Sequence, residues 1–317
     1  MSAWDVKGKF AIVTGSGSGI NHAFAEQLLN AGCSVIFADI ALRPEAESTI
    51  AHFPHPPQDG VPSAVFHQMD QSNWSNISAT WAFALETFGK VDLLCPGAGI
   101  WEPPTSNFWN PPGISILSED DPEAALGVYK IFAVNAMGPI RFAQIALDYW
   151  MQNKIAGNLL FVSSLSAYLP TIGTPLYNST KGALASFTQS LGQMKARLGI
   201  RVAAVCPATT FTPAVTQEYC KDKVRDIDMN MTATECAEVM LHVVTEPQYG
   251  DGQIVEAMQF STTSSDVRVR VVPYQNLLPD IDFNGDFSGK NILVEEEKLW
   301  KQLETSGVRI QSRDTQK

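Results

Sequence analysis

Short apolar runs alternate along the first 258 residues with segments in which apolar residues recur every three or four positions. The runs lie at residues 9–14, 33–38, 63–69, 91–95, 157–162, 200–206 and 252–258. An apolar run of this length is typical of a strand that is buried on both faces. Strands that alternate with helices predict right-handed crossovers, so we expect an α/β fold with a doubly wound parallel sheet.

Helices are predicted in the segments between these strands. One apolar stripe at helical spacing, which we interpret as core, consists of Trp74, Ile77, Trp81 and Leu85. Longer helical regions are expected at residues 123–153 and 232–245. Residues 52–60 are rich in proline and hold two histidines. We interpret them as a solvated surface loop, because their spacing does not suit a metal site.

A further helix is predicted to begin at Tyr177 and to carry a seam of apolar residues at alternating steps of three and four. The members of the seam are Leu184, Phe187, Leu191, Met194 and Leu198. A seam of this kind is either core or a subunit interface. We expect part of it to serve assembly, as a homodimer or a homotetramer.

Residues 100–122 interrupt the alternation with five prolines and three large aromatic residues, Trp101, Phe108 and Trp109. The segment leaves the carboxyl end of the fourth strand, where open parallel sheets bind ligands. We interpret it as an ordered loop that walls a substrate pocket. The alternative is a decoration on the far surface. Residues 212–231 form a short polar segment that is placed to serve as a lid.

The composition changes after Met258. Residues 1–258 are expected to form one domain that includes the ligand pocket, and residues 259–317 a C-terminal extension. Valine and arginine alternate at residues 266–272, and residues 295–305 carry a narrow apolar stripe. We expect one short helix there, packed on the domain or on a neighbouring subunit, and a frayed tail from Gly307 onward.

The overall composition excludes several classes of partner. Of the 317 residues 45% are hydrophobic and 17% charged, which is typical of a soluble protein with a core. The net charge is −11 and no basic run is present, so we expect neither a nucleic acid nor a membrane as partner. The five cysteines are scattered, which favours a reducing compartment. Without an apolar signal core the expected location is cytoplasmic.

A glycine-rich turn follows the first strand. The turn reads Gly15-Ser16-Gly17-Ser18-Gly19 and precedes a helical pattern. Strand, glycine turn and helix together predict a phosphate site, since bare backbone lets a pyrophosphate approach the helix N-terminus. Asp39 ends the next strand, twenty residues after Gly19, where an acidic side chain binds ribose hydroxyls. Its alternative is a strand-end turn residue.

A second set of residues suits proton transfer. Ser164 precedes Tyr177 by thirteen residues, and Lys181 follows Tyr177 by four. Residues four apart share one face of a helix, and an ammonium beside a phenol lowers the phenol pKa. Such a phenol exchanges a proton with an alcohol or a carbonyl, while Ser164 holds the substrate oxygen. The alternative is a serine-rich loop before a surface helix, because a Tyr-xxx-Lys spacing also arises by chance.

With these motifs in this order, residues 5–260 resemble the short-chain dehydrogenase/reductase family, whose fold is of Rossmann type. The resemblance implies that Tyr177 is the catalytic acid/base, that Lys181 lowers its pKa and holds the nicotinamide ribose, and that Asn135 anchors a water. It also implies NAD as cofactor. The residues expected to bind it are Gly15, Ser18, Gly19, Ile20, Asp39, Asp70, Gly97, Ala98, Tyr177, Lys181, Pro207 and Thr212. Residues 42–45, the aromatic loop and the tail resemble a fungal branch of hydroxyprostaglandin- or hydroxysteroid-dehydrogenase-like proteins.

Three positions depart from the family pattern. Asn21 stands at the last glycine of the family turn, where its side chain is expected to crowd the contact between helix and strand. Gly97 stands where the family has asparagine in its Asn-Asn-Ala-Gly motif, and Ala208 replaces the glycine after Pro207. None of these changes removes a reacting group, so we expect weaker support of the cofactor and intact chemistry.

The function expected from the resemblance is interconversion of a secondary alcohol and a ketone with NAD(H). The substrate is expected to be a mid-sized, apolar small molecule of secondary metabolism. A redox-neutral isomerase or cyclase that uses Tyr177 as general acid is the alternative. A nucleotide-sensing protein without turnover is a third reading, which the intact triad disfavours.

Overall fold

The computed structural model describes residues 3–57, 60–220, 223–225, 228–260, 267–274 and 290–307. Within them the chain forms ten strands. These are β1 (Phe10–Thr14), β2 (Ser34–Asp39), β3 (Ala64–Gln68), β4 (Leu93–Cys95), β5 (Asn158–Val162), β6 (Arg201–Pro207), β7 (Thr210–Phe211), β8 (Met231–Thr232), β9 (Asp251–Gln259) and β10 (Val267–Val271).

Eight of these strands form a single sheet in the order β10-β9-β6-β5-β4-β1-β2-β3, and β7 pairs with β8 separately. Every neighbouring pair in the large sheet is parallel except β9 and β10. The chain starts at β1 in the middle, moves outward to β3, and returns to the other side of β1 with β4. The prediction of a doubly wound parallel α/β sheet is confirmed.

Nine α-helices are described. They are α1 (Gly19–Asn30), α2 (Pro44–His52), α3 (Trp74–Phe88), α4 (Lys130–Phe132), α5 (Gly138–Asn153), α6 (Pro175–Ser190), α7 (Met194–Leu198), α8 (Ala233–Thr245) and α9 (Lys290–Ser306). A π-helical turn, Ala133–Met137, joins α4 to α5. Helices cover both faces of the sheet, and each face has its own apolar core, one around Phe24 and Phe37 and the other around Trp150 and Phe161.

Local sequence explains where several helices begin and end. The Asn73 side chain accepts the backbone N–H groups of Ser75 and Asn76 and so caps α3. Gly89 ends the same helix in the left-handed region, with φ 77°. Thr232 and Glu235 form a capping box at the start of α8. These ends are therefore fixed by hydrogen bonds that are local in sequence.

The structure agrees with one expectation about helices and corrects two. Residues 44–52 form α2 between β2 and β3, as the alternation predicts, although the helix buries only Ala46 and Thr49. Trp74 is 51% exposed and is not core, although Ile77 is fully buried. The region predicted to be helical from residue 123 becomes helical only at Lys130, whose backbone N–H donates to the Asp120 carboxylate (2.7 Å).

The predicted seam on a single helix is also wrong. α6 ends at Ser190, and α7 begins only at Met194. Gly192 lies between them, and a Cβ there would meet the Asp251 carbonyl oxygen at 3.0 Å. Leu184 and Met194 are buried in the core of their own chain. The other three members of the seam are half-buried.

Part of the C-terminal extension is described. β10 extends the sheet antiparallel to β9 over the predicted valine–arginine alternation. α9 packs on the domain of its own chain, where Trp300 is buried and stacks below the Arg197 guanidinium, 5.4 Å from the ring centroid. Arg197 also forms an ion pair with Glu297. The tail predicted beyond Gly307 lies outside the described residues. No described helix is long and apolar enough to cross a membrane.

Candidate active site

The parallel strands bring the predicted site residues to one edge of the sheet. The glycine turn follows β1, Asp39 ends β2, Gly97 and Ala98 follow β4, and Ser164 lies two residues after β5. Pro207 is the last residue of β6. Because the carboxyl ends of parallel strands meet at one edge, residues far apart in sequence converge there.

Ser164, Tyr177 and Lys181 come together at this edge. Tyr177 lies in the first turn of α6 with Lys181 one turn later, and the Lys181 Nζ atom is 5.5 Å from the centroid of the tyrosine ring. The Ser164 side chain lies beside the Tyr177 phenol and lowers its pKa, and the Ser164 hydroxyl accepts the backbone N–H of Ser166 (3.2 Å). The Lys181 ammonium donates to the Val162 carbonyl oxygen (2.8 Å). The predicted triad is therefore assembled in space.

The protonation of this group differs from the expectation that Lys181 lowers the tyrosine pKa. Burial raises the pKa of Tyr177 to about 12, and the neighbouring Ser164 side chain opposes that rise only in part. Burial also lowers the pKa of Lys181 to about 8. Loss of solvent is thus the largest influence on the pKa of both groups in the protein chain alone.

Asn135 lies beside Lys181, in the π-helical turn before α5. Its amide accepts the Ile100 N–H (2.8 Å), and donates to the Ile100 carbonyl (2.8 Å) and to Thr180 Oγ1 (3.3 Å). A Cβ on Gly99 would lie 3.3 Å from Asn135 Oδ1 and 3.7 Å from Lys181 Nζ. Asn135 therefore fixes the backbone after β4 against the catalytic helix. That it also anchors a water remains a prediction.

The glycine turn has the shape required for close approach of a phosphate. Gly15 and Gly19 adopt φ angles of 71° and 62°, which lie in the left-handed region that residues with a Cβ rarely occupy. A Cβ on Gly17 would lie 2.1 Å from the Ala41 carbonyl oxygen. Thr212 lies against the turn, because a Cβ on Gly19 would be 3.3 Å from Thr212 Cβ. With Ser18 and Ile20 at the start of α1, this cradle fits a dinucleotide pyrophosphate at a helix N-terminus.

Asp39 supports the glycine turn directly. One carboxylate oxygen accepts the Gly17 N–H (2.8 Å), and the other accepts the N–H of Ile40 (2.7 Å). The side chain remains half-buried at the end of β2. Arg43 is exposed and its backbone is extended before Pro44, with φ −95° and ψ 162°. The carboxylate is therefore the charged group that the turn itself holds in place.

Asp70 is placed differently from the core of the site. Its carboxylate accepts the N–H and the hydroxyl of Ser72 (2.9 and 2.7 Å) in an exposed turn before α3. The buried neighbour Gln71, which the sequence motifs did not indicate, donates to the carbonyl oxygens of Ala98 (2.8 Å) and Val134 (2.9 Å). The hydroxyl of Thr14 donates to Gln71 as well. Gln71 therefore ties β1, the loop after β4 and the π-helical turn together.

Asn21 and Gly97, two of the departures from the family pattern, are in contact with each other. A Cβ on Gly97 would lie 2.4 Å from Asn21 Oδ1, so the Asn21 side chain fills the space beside Gly97. A Cβ on Gly15 would meet Asn21 Nδ2 at 2.9 Å. The expected crowding by Asn21 is thus accommodated because Gly97 has no side chain. The two positions depend on each other.

The aromatic loop lies at the active site and not on the far surface. The indole N–H of Trp109 donates to the Ile172 carbonyl oxygen (2.8 Å), in the connection between Ser164 and Tyr177. The Lys223 ammonium, in the predicted lid, stands 5.4 Å from the centroid of the Trp101 ring. The buried carboxylate of Glu102 accepts the backbone N–H of Tyr177 (2.8 Å). The sequence motifs gave no signal for Glu102.

Comparison with known proteins agrees with this geometry. The family model described as short chain dehydrogenase matches residues 9–223. Glucose 1-dehydrogenase 2 of Bacillus subtilis (strain 168) is 31% identical over 209 residues, which are 66% of this chain and 74% of that protein. Short-chain dehydrogenase/reductase prx4 of Penicillium roqueforti is 25% identical over 207 residues, or 65% of this chain and 55% of that protein.

A solved structure has the same fold. The 3-ketoacyl-(acyl-carrier-protein) reductase from Brucella melitensis, complexed with NADH, superposes with a TM-score of 0.62 at 25% identity and covers 79% of this chain and 97% of its own. The family model spans more than half of the 317 residues and includes the glycine turn and the triad. The chain therefore belongs to the short-chain dehydrogenase family and is an oxidoreductase with a site for a nicotinamide cofactor.

Proposed function

We propose that this enzyme interconverts a secondary alcohol and a ketone with NAD(H), on a mid-sized apolar substrate. The observation that carries the proposal is the placement of Tyr177 at the same sheet edge as the glycine turn, with Lys181 Nζ 5.5 Å from its ring centroid and the Ser164 side chain beside its phenol. A phenol beside a hydroxyl can bind and exchange a proton with a single substrate oxygen, which belongs to an alcohol in one direction of the reaction and to a carbonyl in the other. The relatives named above are dehydrogenases or reductases, and they give no support to a redox-neutral isomerase or cyclase.

The bound nicotinamide supplies or accepts the hydride, and the protein supplies position and a proton. Ser164 holds the substrate oxygen while Tyr177 gives it a proton in ketone reduction or removes one in alcohol oxidation. The Lys181 ammonium stabilises the phenolate that forms when Tyr177 loses its proton. The glycine turn and Asp39 hold the adenosine half, and Thr212 borders the turn from the lid.

Exposed apolar side chains at the rim of the site support an apolar substrate. Ile172 is 82% exposed, and Leu169 in the same connection is 60% exposed. Phe108 and Trp109 stand opposite them in the aromatic loop, with rings in edge-to-face contact at 5.0 Å. Exposed apolar side chains gathered in this way are typical of a surface that binds an apolar ligand. We also propose a fungal branch of the family and a substrate of secondary metabolism, on the resemblance of residues 42–45, the aromatic loop and the tail.

A panel of apolar secondary alcohols and ketones tests the proposal. Each compound is offered with NAD(H) and with NADP(H), and the nicotinamide absorbance is followed. At least one apolar pair should give steady turnover with NAD(H). Rearrangement of a substrate without any change in nicotinamide absorbance would favour redox-neutral chemistry and refute the proposal.

The pH dependence should differ between the two directions. Reduction needs protonated Tyr177, which is present throughout the neutral range because its pKa is raised to about 12. It also needs charged Lys181, whose charge is lost as the pH rises through about 8. We therefore expect kcat/KM for reduction to fall above pH of about 8, and kcat/KM for oxidation, in which Tyr177 must lose its proton, to rise with pH up to about 8 and to level off above it as Lys181 loses its charge. A reduction profile that stays flat through this range would contradict the role given to Lys181.

We also propose that two copies associate through the groove between α5, α6 and α9. The groove has a volume of about 1000 Å³ and is lined by apolar side chains that include Met137, Phe187 and Leu299. Leu299 is 47% exposed at its rim, and apolar surface left there is buried by a second copy. Light scattering should show a dimer or tetramer at micromolar concentration. Leu299→Asp should shift it towards monomer, whereas Val61→Asp, outside the groove, should not.

Two further proposals concern the bounds of the domain and the cellular compartment. We retain residues 1–258 as the dinucleotide-binding domain with its substrate pocket, and residues 259–317 as an extension. We retain the cytoplasm as the compartment, because all five cysteines are free and buried, as in proteins of reducing environments.

A further inference from the structure

Glu102 is a buried carboxylate for which the reaction described above has no task. It lies in the loop after β4 and is 1% exposed. Its φ angle is 29°, in the left-handed region that residues with a Cβ rarely occupy. A strained backbone of this kind persists only when its surroundings hold it, and such residues cluster at active sites.

The Glu102 carboxylate binds the first turn of the catalytic helix. One oxygen accepts the backbone N–H of Tyr177 (2.8 Å), and the neighbouring Leu176 N–H helps to lower the pKa of the same carboxylate. The N–H groups of a first turn have no partner within the helix. Thr174, just before α6, does not cap it, since its hydroxyl is paired with Thr171 and Asn178. A residue 75 positions away along the chain caps the helix instead.

The same carboxylate anchors the aromatic loop. Its other oxygen accepts the backbone N–H of Phe108 (3.2 Å). Burial raises the pKa of Glu102, while these N–H groups and the Lys223 ammonium in the lid oppose the rise. A negative charge is also favourable at a helix N-terminus. Loop, catalytic helix and lid therefore meet at one side chain.

We propose that Glu102 is the positioning residue for Tyr177, and that it makes the position of the phenol depend on a seated aromatic loop. The carboxylate holds the backbone of Tyr177 itself, so loss of this bond moves the phenol relative to Ser164. A misplacement of about 1 Å in a catalytic group can cost about 10²-fold in rate. Only the turnover measurement for this proposal depends on the proposed function.

Two variants and a matched control test the proposal. Glu102→Ala removes both acceptors, and Glu102→Gln keeps the shape but loses the charge and one acceptor. Glu119→Gln changes an exposed carboxyl of the same loop. We expect kcat to fall by about 10²-fold in Glu102→Ala and by less in Glu102→Gln, with NAD(H) affinity nearly unchanged in both. Glu119→Gln should match the wild-type protein.

A second readout does not depend on turnover. Hydrogen exchange of the Tyr177 amide should be slow in the wild-type protein and much faster in Glu102→Ala, at a temperature where both remain folded. Unchanged exchange, or kcat equal to wild type in both folded variants, would overturn the proposal. If the wild-type protein turns over no alcohol, the proposed function fails. The exchange measurement then still decides whether Glu102 holds Tyr177.

Discussion

Replacement of Tyr177 with phenylalanine is expected to lower turnover by about 10²–10⁴-fold, the range that a positioned acid–base group contributes. The ring stays in place, so dinucleotide binding should be almost unchanged. Steady-state kinetics and a binding titration on the same preparation separate the two effects. The loss should appear in kcat, because the phenol is needed only when the proton moves.

Tyr168→Phe is the matched control for this experiment. Tyr168 lies in the same connection as Tyr177, but its hydroxyl donates to the Glu256 carboxylate (2.8 Å), which in turn pairs with Arg270. Loss of that hydrogen bond to a carboxylate costs about 1.5–3 kcal/mol of stability and should leave turnover near that of wild type. Near-normal turnover in Tyr177→Phe, or an equal loss in both variants, would exclude Tyr177 as the proton carrier.

A preference for NAD(H) over NADP(H) is the second large expected effect, and it rests on Asp39. Because Asp39 is bound to the Gly17 N–H (2.8 Å), its carboxylate cannot easily move away from a 2′-phosphate. Two unit charges at about 4 Å interact by about 4 kcal/mol at an effective dielectric near 20. Even half of that value is more than a tenfold preference, since about 1.4 kcal/mol is a factor of ten.

Asp39→Asn is the sharpest variant, because the amide oxygen can still accept the Gly17 N–H while the charge is removed. The ratio of kcat/KM for NADP(H) to that for NAD(H) should rise by more than about tenfold. Arg43→Ala is the paired variant, and it should leave the ratio nearly unchanged. A wild-type preference for NADP(H), lost in Arg43→Ala, would show that Arg43 governs the pocket.

The sequence was sufficient to predict where local motifs meet in the fold. The glycine turn, Asp39 and the triad each have a fixed spacing, and parallel strands bring such motifs to one edge. Glu102 and Gln71 could not be predicted in this way, because their partners lie 75 and 63 residues away along the chain. The same holds for Asn21 and Gly97, whose compatibility appears only when α1 and the loop after β4 are seen in contact.

Some helix boundaries could not be predicted from the sequence for a related reason. α2 buries almost no apolar surface, so the hydrophobic pattern does not show where it begins and ends. The long helix before β5 begins at Lys130 because Asp120, ten residues earlier, accepts its N–H. The tyrosine pKa also depends mainly on tertiary burial, which the spacing of Tyr177 and Lys181 does not reveal.

Transfer of deuterium from substrate to cofactor tests the central claim most directly. An apolar secondary alcohol found active in the panel is labelled with deuterium on its carbinol carbon and oxidised with unlabelled NAD⁺. We predict one deuterium in each NADH formed, one ketone per NADH, and almost no product in Tyr177→Phe. Conversion of the alcohol with no deuterium in the nicotinamide would contradict direct hydride transfer at this site.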